Sequence, residues 1–400
     1  MARKRIIYQS EALYAGKTGA ASPQQLHRVQ DVSHSVEVAR QDINEFGKLA
    51  ALSREVIEPP TVGLDFTYYV VDGFNEASGL GLSVNGINVA TETSAVSGMM
   101  AEQSAANDVA EKNYYVLTVP EGEDASSLPQ GTPYSSDEYS NMGVVGIGNG
   151  YVTSYTLDAS VGDIPSASCS VEASNLRFDV SGSGFQNPAI STTDGTAKPG
   201  TVVIPKSTTG SLSAAALRPG DVTINFGTVT GDDGDYVAGS GDFLQAGGAI
   251  LPGMSGAGTD GASGANVQSF SIDLPLGRTP LQRMGNIFPF SRELDFPISV
   301  SMSVTANLTE MSPGALRELL CNEARKRNIT VNMRNRCNGG KSLQYTMKGA
   351  ILDSQNMSAT IGDNKSVELS FSTQIGGPTD DENGIFISGT SGAWNSRFRS

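Results

Sequence analysis

An internal repeat constrains this chain more than any other feature. Residues 29–67 align without a gap on residues 267–305, an offset of 238, and eleven of the 39 positions are identical. The matches include Ser53-Arg54-Glu55 with Ser291-Arg292-Glu293, and Pro59 with Pro297. Chance would supply about two or three at ordinary composition. A second block, 97–116 on 312–331, has an offset of 215, and a third, 159–170 on 359–370, an offset of 200. The blocks are collinear, so one folding unit is expected twice, with longer loops in the first copy. The expected division is 1–176 for the first unit with an N-terminal arm, and 177–262 for an inter-repeat arm, a small inserted β region, or both. The second unit then takes 263–375 and a C-terminal arm 376–400.

Each copy opens on an alternating strand, with Val32, Val36 and Val38 on one side in the first and Phe270, Ile272, Leu274 and Leu276 in the second. A connection of about 20 residues, unusually long for a compact domain, leads into another alternating run. That run is "TVGLDFTYYVV" in the first copy and "ISVSMSVTANL" in the second. The pair reads as a hairpin with a long tip. A helix is expected next. In the second copy Ser312 is its N-cap, Pro313 takes the first position, and Leu316, Leu319 and Leu320 form the apolar stripe. Arg325, Lys326 and Arg327 close its last turn, where cations complement the helix dipole. Met99, Met100, Ala106 and Val109 give a weaker version in the first copy. Further strands follow, around turns at Gly162-Asp163 and Gly362-Asp363. The predicted class is mainly β: two tandem β-sandwich or half-barrel domains, each with one flanking α-helix and a long protruding hairpin.

The net charge is −15, and residues 113–263 carry 16 acidic against four basic side chains. An acidic protein repels phosphates, so it is a poor candidate for gripping nucleic acid; the charge reads equally as a solubility device or as suited to a conduit where sticking is the problem. Cys169, Cys321 and Cys337 form no disulfide framework or zinc-ligand spacing. The start "MARKRIIYQS" lacks the apolar core of a signal peptide, and no window approaches the roughly 20 apolar residues of a membrane span. Synthesis in the cytoplasm and no membrane partner are therefore expected. His27 and His34 lie in no triad-like setting, and "GDDGD" at 231–235 reads as an acidic turn rather than a calcium loop. No phosphate-binding loop, nucleophile elbow or metalloprotease motif occurs. The expectation is a non-enzyme without cofactor or metal, working by shape and assembly.

The stretch "LHRVQDVSHSVEVARQDINEFGKLAALSREVIEPPTVGLDFTYYV" resembles the tail tube proteins of long-tailed bacteriophages. So do "GNGYVTSYTLDASVGDIPSASCSVEASNL" and "IGDNKSVELSFSTQIGGPTDDENGIFISG". The resemblance covers most of the chain outside roughly 177–262. It implies a structural virion protein whose inner strands join between subunits into a continuous barrel around a channel, with rings stacking into a tube. Such rings normally hold six units, so a chain with two implies three chains in a pseudo-hexamer. The implied partners are other copies of the chain, tail proteins at the tube ends, and phage DNA passing without specific binding. The hairpins are the elements that dock on the neighbouring ring. This assigns an assembly role to Arg40, Phe46, Gly47, Arg54, Glu55 and Pro59, and to Arg278, Met284, Gly285, Arg292, Glu293 and Pro297. Alternatives are another tail part (a terminator, baseplate ring or fibre) and a tandem adhesion or carbohydrate-binding module. Trp394 as the single tryptophan counts against the last.

Overall fold

The structure, a computed structural model, describes residues 11–19, 23–87, 92–100, 111–119, 125, 142–180, 184–205, 222–225, 229–230, 265–308, 326–334, 341–362, 364–377 and 379–390. It is mainly β. The first half supplies β1 (Glu11–Lys17), β2 (Gln24–Gln25), β3 (Val29–Glu37), β4 (Arg40–Ile43), β5 (Ser53–Val56), β6 (Thr61–Tyr69) and β7 (Val84–Gly86). β8 (Lys112–Thr118), β9 (Gly143–Ser160), β10 (Ser166–Ala173) and β11 (Asn175–Asp179) follow. Between the halves lie β12 (Phe185–Gln186), β13 (Thr201–Val202), β14 (Val222–Asn225) and β15 (Val229–Thr230). The second half has β16 (Ala265–Pro275), β17 (Arg278–Leu281), β18 (Ser291–Leu294), β19 (Ile298–Leu308) and β20 (Lys326–Arg334). It ends with β21 (Lys341–Ser358), β22 (Ser366–Ile375) and β23 (Gly384–Gly389). A π-helix (Asn75–Leu80) and one turn of α-helix, α1 (Ser97–Met100), interrupt the strands.

Eight strands form a continuous antiparallel ladder in the order β3-β6-β10-β9-β16-β19-β22-β21. Its first four strands recur in its last four, register for register. Val32 faces Phe66 on β3–β6, and Phe270 faces Val304 on β16–β19, both residues 238 positions on. Cys169 faces Tyr155 on β10–β9, and Leu369 faces Gln355 on β22–β21, both 200 positions on. Tyr114 faces Ile147 on β8–β9, and Ile329 faces Met347 on β20–β21, at offsets of 215 and 200. Even the irregularities recur, between Ser170 and Val171 on one side and beside Leu352 and Ser354 on the other. These are the three offsets of the sequence alignment.

Period-2 alternation explains the ladder's two faces. Leu64, Phe66, Cys169, Leu157, Ile272, Val304 and Leu369 point into the core. Ser, Thr and acidic residues point out. β9 and β21 are long enough to serve two layers: the first part of β9 pairs with β8 and β11, and the rest with β10 and β16. Phe66 of the ladder meets Tyr114 of β8 at 6.2 Å between ring centroids, so β8 packs against the ladder's inner face. β8 is buried along almost its whole length. Its far face is covered by Phe185, Val202 and Ile204 of the inter-repeat segment, which pack with Tyr14, Tyr115 and Leu117.

An asparagine network holds that segment in place. Asn149, at φ 57°, donates to Glu111 Oε1 at 2.7 Å and accepts from the Ile190 N–H at 2.8 Å. Tyr151 Oη donates to Glu111 Oε2 at 3.0 Å, and Asn113 donates to Asn187 at 2.9 Å. Further along, β14 and β15 pair with β20, as β1 pairs with β8.

Three expectations are revised. Lys326 and Arg327, expected to end a helix, begin strand β20, because Ile329, Val331 and Met333 alternate inward against β21. The rest of that helix, including Ser312–Leu320, lies outside the described residues, as do Ala106 and Val109. The tail, expected to be an arm, contributes β23, buried along its length and paired antiparallel with β21 and parallel with β7. Val38, expected to continue the alternating strand with Val32 and Val36, lies beyond β3, which ends at Glu37, and both Val36 and Val38 are exposed.

The same ladder position therefore differs in environment between the halves. Leu274 is 0% exposed and its counterpart Val36 is 51% exposed. Leu274→Ala is expected to cost the isolated chain about 2–5 kcal/mol, and Val36→Ala under about 1 kcal/mol. Urea unfolding of both variants at low protein concentration checks this.

Candidate assembly surfaces

The ladder ends on two edges. Among the described residues, β3 pairs only with β6, and the stretch 351–358 of β21 pairs only with β22. A row of free N–H and C=O groups on an edge is a template for another strand. Both edges carry partly exposed apolar side chains, Val36 at 51% on β3 and Ile351 at 44% on β21.

The outward face of the ladder is hydroxyl-rich and of one sign. Its charged side chains at paired positions are Asp31 and Glu37 on β3, Asp65 on β6, Glu172 on β10, Asp158 on β9, Asp273 on β16 and Glu368 on β22. No lysine or arginine occupies a paired position on this face among the described residues. Serines and threonines fill most remaining positions, and Thr156 Oγ1 donates to Asp273 across the seam at 3.0 Å. Among the described residues, Glu172 is the one acid of this set with an ion-pair partner, Arg292 at 2.6 Å.

The two hairpins differ in how they are held. The β17–β18 hairpin leans over the β9–β16 seam. Arg278 and Arg292 place their guanidinium groups over the Tyr151 ring at 5.0 and 5.8 Å, and Arg278 Nη1 donates to the Arg292 carbonyl at 3.0 Å. Cation–π contact and the Glu172 pair together seat its base. Asn286 also donates to the Thr192 carbonyl at 3.2 Å. In the β4–β5 hairpin the ion pairs among the described residues are internal: Arg54 with Asp42 at 2.7 Å, and Lys48 with Glu45 at 2.9 Å. Arg40 and Glu55 are exposed there, and Pro59 is half-buried.

At the tips, Gly47 and Gly285 adopt φ of 92° and 90° with open space around them, which glycine tolerates without strain. The side chains just before them, Phe46 and Met284, are 106% and 103% exposed. Glu293 accepts from Ser291 at 2.6 Å, and Pro297 is exposed at the entry to β19. The twelve sequence-selected residues thus fall on two hairpin bases and two tips. They do not converge on one pocket.

One buried polar cluster had no sequence signal. Glu76, 1% exposed, accepts from Tyr68 Oη at 2.8 Å, Tyr155 Oη at 3.3 Å and Tyr345 Oη at 3.4 Å. Tyr155 and Tyr345 hydroxyls lie 2.6 Å apart. Tyr345 belongs to the second half and the others to the first, so the cluster ties the halves together. Burial pushes the Glu76 carboxyl up to about 7, against the smaller opposing effect of its hydrogen bonds. His27 is also buried, and burial together with Arg28 lowers it to about 4.

Among the described residues no three His, Cys, Asp or Glu side chains are grouped to hold a metal, and no helix is long and apolar enough to cross a membrane. Cys169 is free and buried; Cys321, Cys337 and the 231–235 acidic turn lie outside the described residues. No protein-family model matches the chain, and no curated protein matches it.

The Glu76 carboxyl is easier to ionise in the unfolded chain than in the folded one. Its contribution is therefore fully present below about pH 4.5 and is lost as pH rises to about 7, a span worth about 3 kcal/mol. Glu76→Gln is expected to flatten that part of the stability–pH curve. Urea midpoints of both proteins from pH 4.5 to 8 measure the difference.

Proposed function

We propose that this chain is a tail tube subunit of a long-tailed phage, built as two tandem copies of one tube unit, and that it self-assembles into rings that stack around a genome channel. The observation that carries the reading is the β9–β16 seam. β9 is the counterpart of β21, and β16 is the counterpart of β3. The chain thus contains, internally, the junction that its two free edges would make with other copies. Repeating the internal register places Ser33 opposite the next copy's Ser358, as Ser271 lies opposite Asp158. Ser35 would then meet Asn356, as Asp273 meets Thr156. Ring closure leaves no strand edge unpaired.

The one-sided charge of the outward face supports the assignment of that face to the channel. Carboxylates and hydroxyls repel or hydrate DNA phosphates without fixing them, so a duplex slides. The exposed tips at Phe46 and Met284 are the parts placed to meet the next ring. The resemblance to tail tube proteins supplies six units per ring, and two units per chain make three chains.

Two experiments test this. A Ser33→Cys/Ser358→Cys double variant is expected to form interchain disulfides on mild oxidation, whereas either single variant is not. Electron microscopy of assembled protein is expected to show hollow rings or tubes with threefold symmetry. Stable monomers with no crosslink, or rings of six full-length chains, would overturn the reading. Reversing the face charge with Asp65→Lys, Asp158→Lys and Asp273→Lys is expected to give tubes that retain duplex DNA at about 50 mM salt and release it near 200 mM. Filter binding across salt concentrations checks that outcome.

A further inference from the structure

The internal seam is more than a ladder. The β17–β18 hairpin, which follows β16, reaches back across the seam and clamps the strands on the other side through Tyr151 and Glu172. At the chain's free edges the equivalent parts exist but are apart. The clamp is the β4–β5 hairpin, with Arg40 and Arg54 at the positions of Arg278 and Arg292. The seat is Ile351 and Ser372, at the positions of Tyr151 and Glu172.

Exposure separates the two cases. Leu294 of the seated hairpin is 6% exposed and its counterpart Val56 is 49% exposed. Tyr151 of the occupied seat is 7% exposed and its counterpart Ile351 is 44% exposed. Both halves of the second clamp present the apolar surface that the first one covers.

The substitutions between the two are coordinated. The occupied seat offers Glu172 to Arg292 at 2.6 Å, and the open seat has the neutral Ser372. Arg54, which would otherwise arrive there without a counter-ion, brings its own. Asp42 holds it at 2.7 Å, where the other hairpin has Pro280. With Arg54 neutralised internally, the clamp can press on an uncharged, apolar seat without burying that guanidinium alone. Tyr151, which receives two guanidinium groups, is replaced by Ile351, which offers only apolar surface.

We propose that the β4–β5 hairpin is a strap for a second copy of this chain: its base closes over Ile351 and Ser372 on β21 and β22 of the neighbouring subunit in the same ring. The strap rests on the tube reading and adds to it a lateral lock distinct from the edge ladder. Its chemistry is apolar contact from Val56 to Ile351, with the Arg54–Asp42 pair capping the rim.

The test uses the full chain. Val56→Asp and Ile351→Asp alter exposed positions, so monomer circular dichroism and thermal melting are expected to match the unmodified protein. Each is expected to raise the concentration needed for ring assembly at least tenfold, read by sedimentation velocity. Asp42→Asn with Ser372→Glu transplants the internal ion pair to the outer seam. It is expected to assemble at low salt where Asp42→Asn alone does not, and to be more salt-sensitive than the unmodified chain. Assembly of both aspartate variants at the unmodified concentration, with the Ser33–Ser358 crosslink still forming, would overturn the strap and leave the ladder standing. An unmodified chain that forms neither rings nor the crosslink overturns both.

Discussion

Backbone hydrogen bonding across β9 and β16 is the interaction on which the rest of the molecule depends. β9 has β10 on one side and would otherwise end the first half's sheet with an open edge; β16 would begin the second half's sheet with another. Their pairing removes both edges and brings Leu157 against Ile272 and Tyr155 against Leu274. All four side chains are fully buried or nearly so. Burial on that scale merges two cores into one: a single contiguous cluster runs from Leu13 to Ile387 through both halves. Each half alone would have to expose that face.

Polar groups then make the join specific. Apolar packing tolerates slippage, because many registers bury similar area. Glu76 does not, since its carboxyl needs hydroxyls from Tyr68, Tyr155 and Tyr345 together, and Tyr345 reaches it only when the halves are correctly set. Ser342 Oγ donates to the Val71 carbonyl at 2.7 Å, and the Ala95 N–H to the Ile385 carbonyl at 2.9 Å, each across the halves. The parallel pairing of β7 with β23 adds a ladder of its own. A misplaced second half would strand these groups without partners, which costs more than the bonds contribute when made.

Much of this was legible in the sequence, for a definite reason. Register is a one-dimensional property, and two strands copied with their spacing keep their pairing, so offsets of 238, 215 and 200 in the sequence return as offsets between ladder partners. Alternation likewise marked β6, β16 and β19. What could not be read is what depends on meeting in space. Glu76 sits in a polar run after β6 and gives no periodic signal; only the fold brings three tyrosines to it. β23 reads as a Gly-rich tail, because Gly384 and Gly389 flank only four apolar or hydroxyl residues. Lys326 and Arg327 looked like a helix end because a basic triplet suits one. The alternation of Ile329, Val331 and Met333 starts just after them. The asymmetry of the two hairpins could not be read, because Tyr151 and Ile351 are equivalent only once the ladder is drawn.

In the assembly we propose, edge charge decides which partner each free edge accepts. Two copies of β3 paired antiparallel about His34 would set Asp31 of each against Glu37 of the other, and like charges directly opposite are destabilising. In the register of the internal seam, Ser354 of β21 would oppose Glu37 of β3, and Asn356 and Ser358 would oppose Ser35 and Ser33, so no like charges would meet. The β3 edge therefore disfavours itself and suits β21. A symmetric contact between like edges would end in a closed two-fold pair, whereas an unlike-edge contact repeats head to tail and must close as a ring or continue. In the tube we propose, the carboxylates that would keep nucleic acid from adhering to the channel face would also select, at the edge of the same sheet, the kind of assembly that forms a channel.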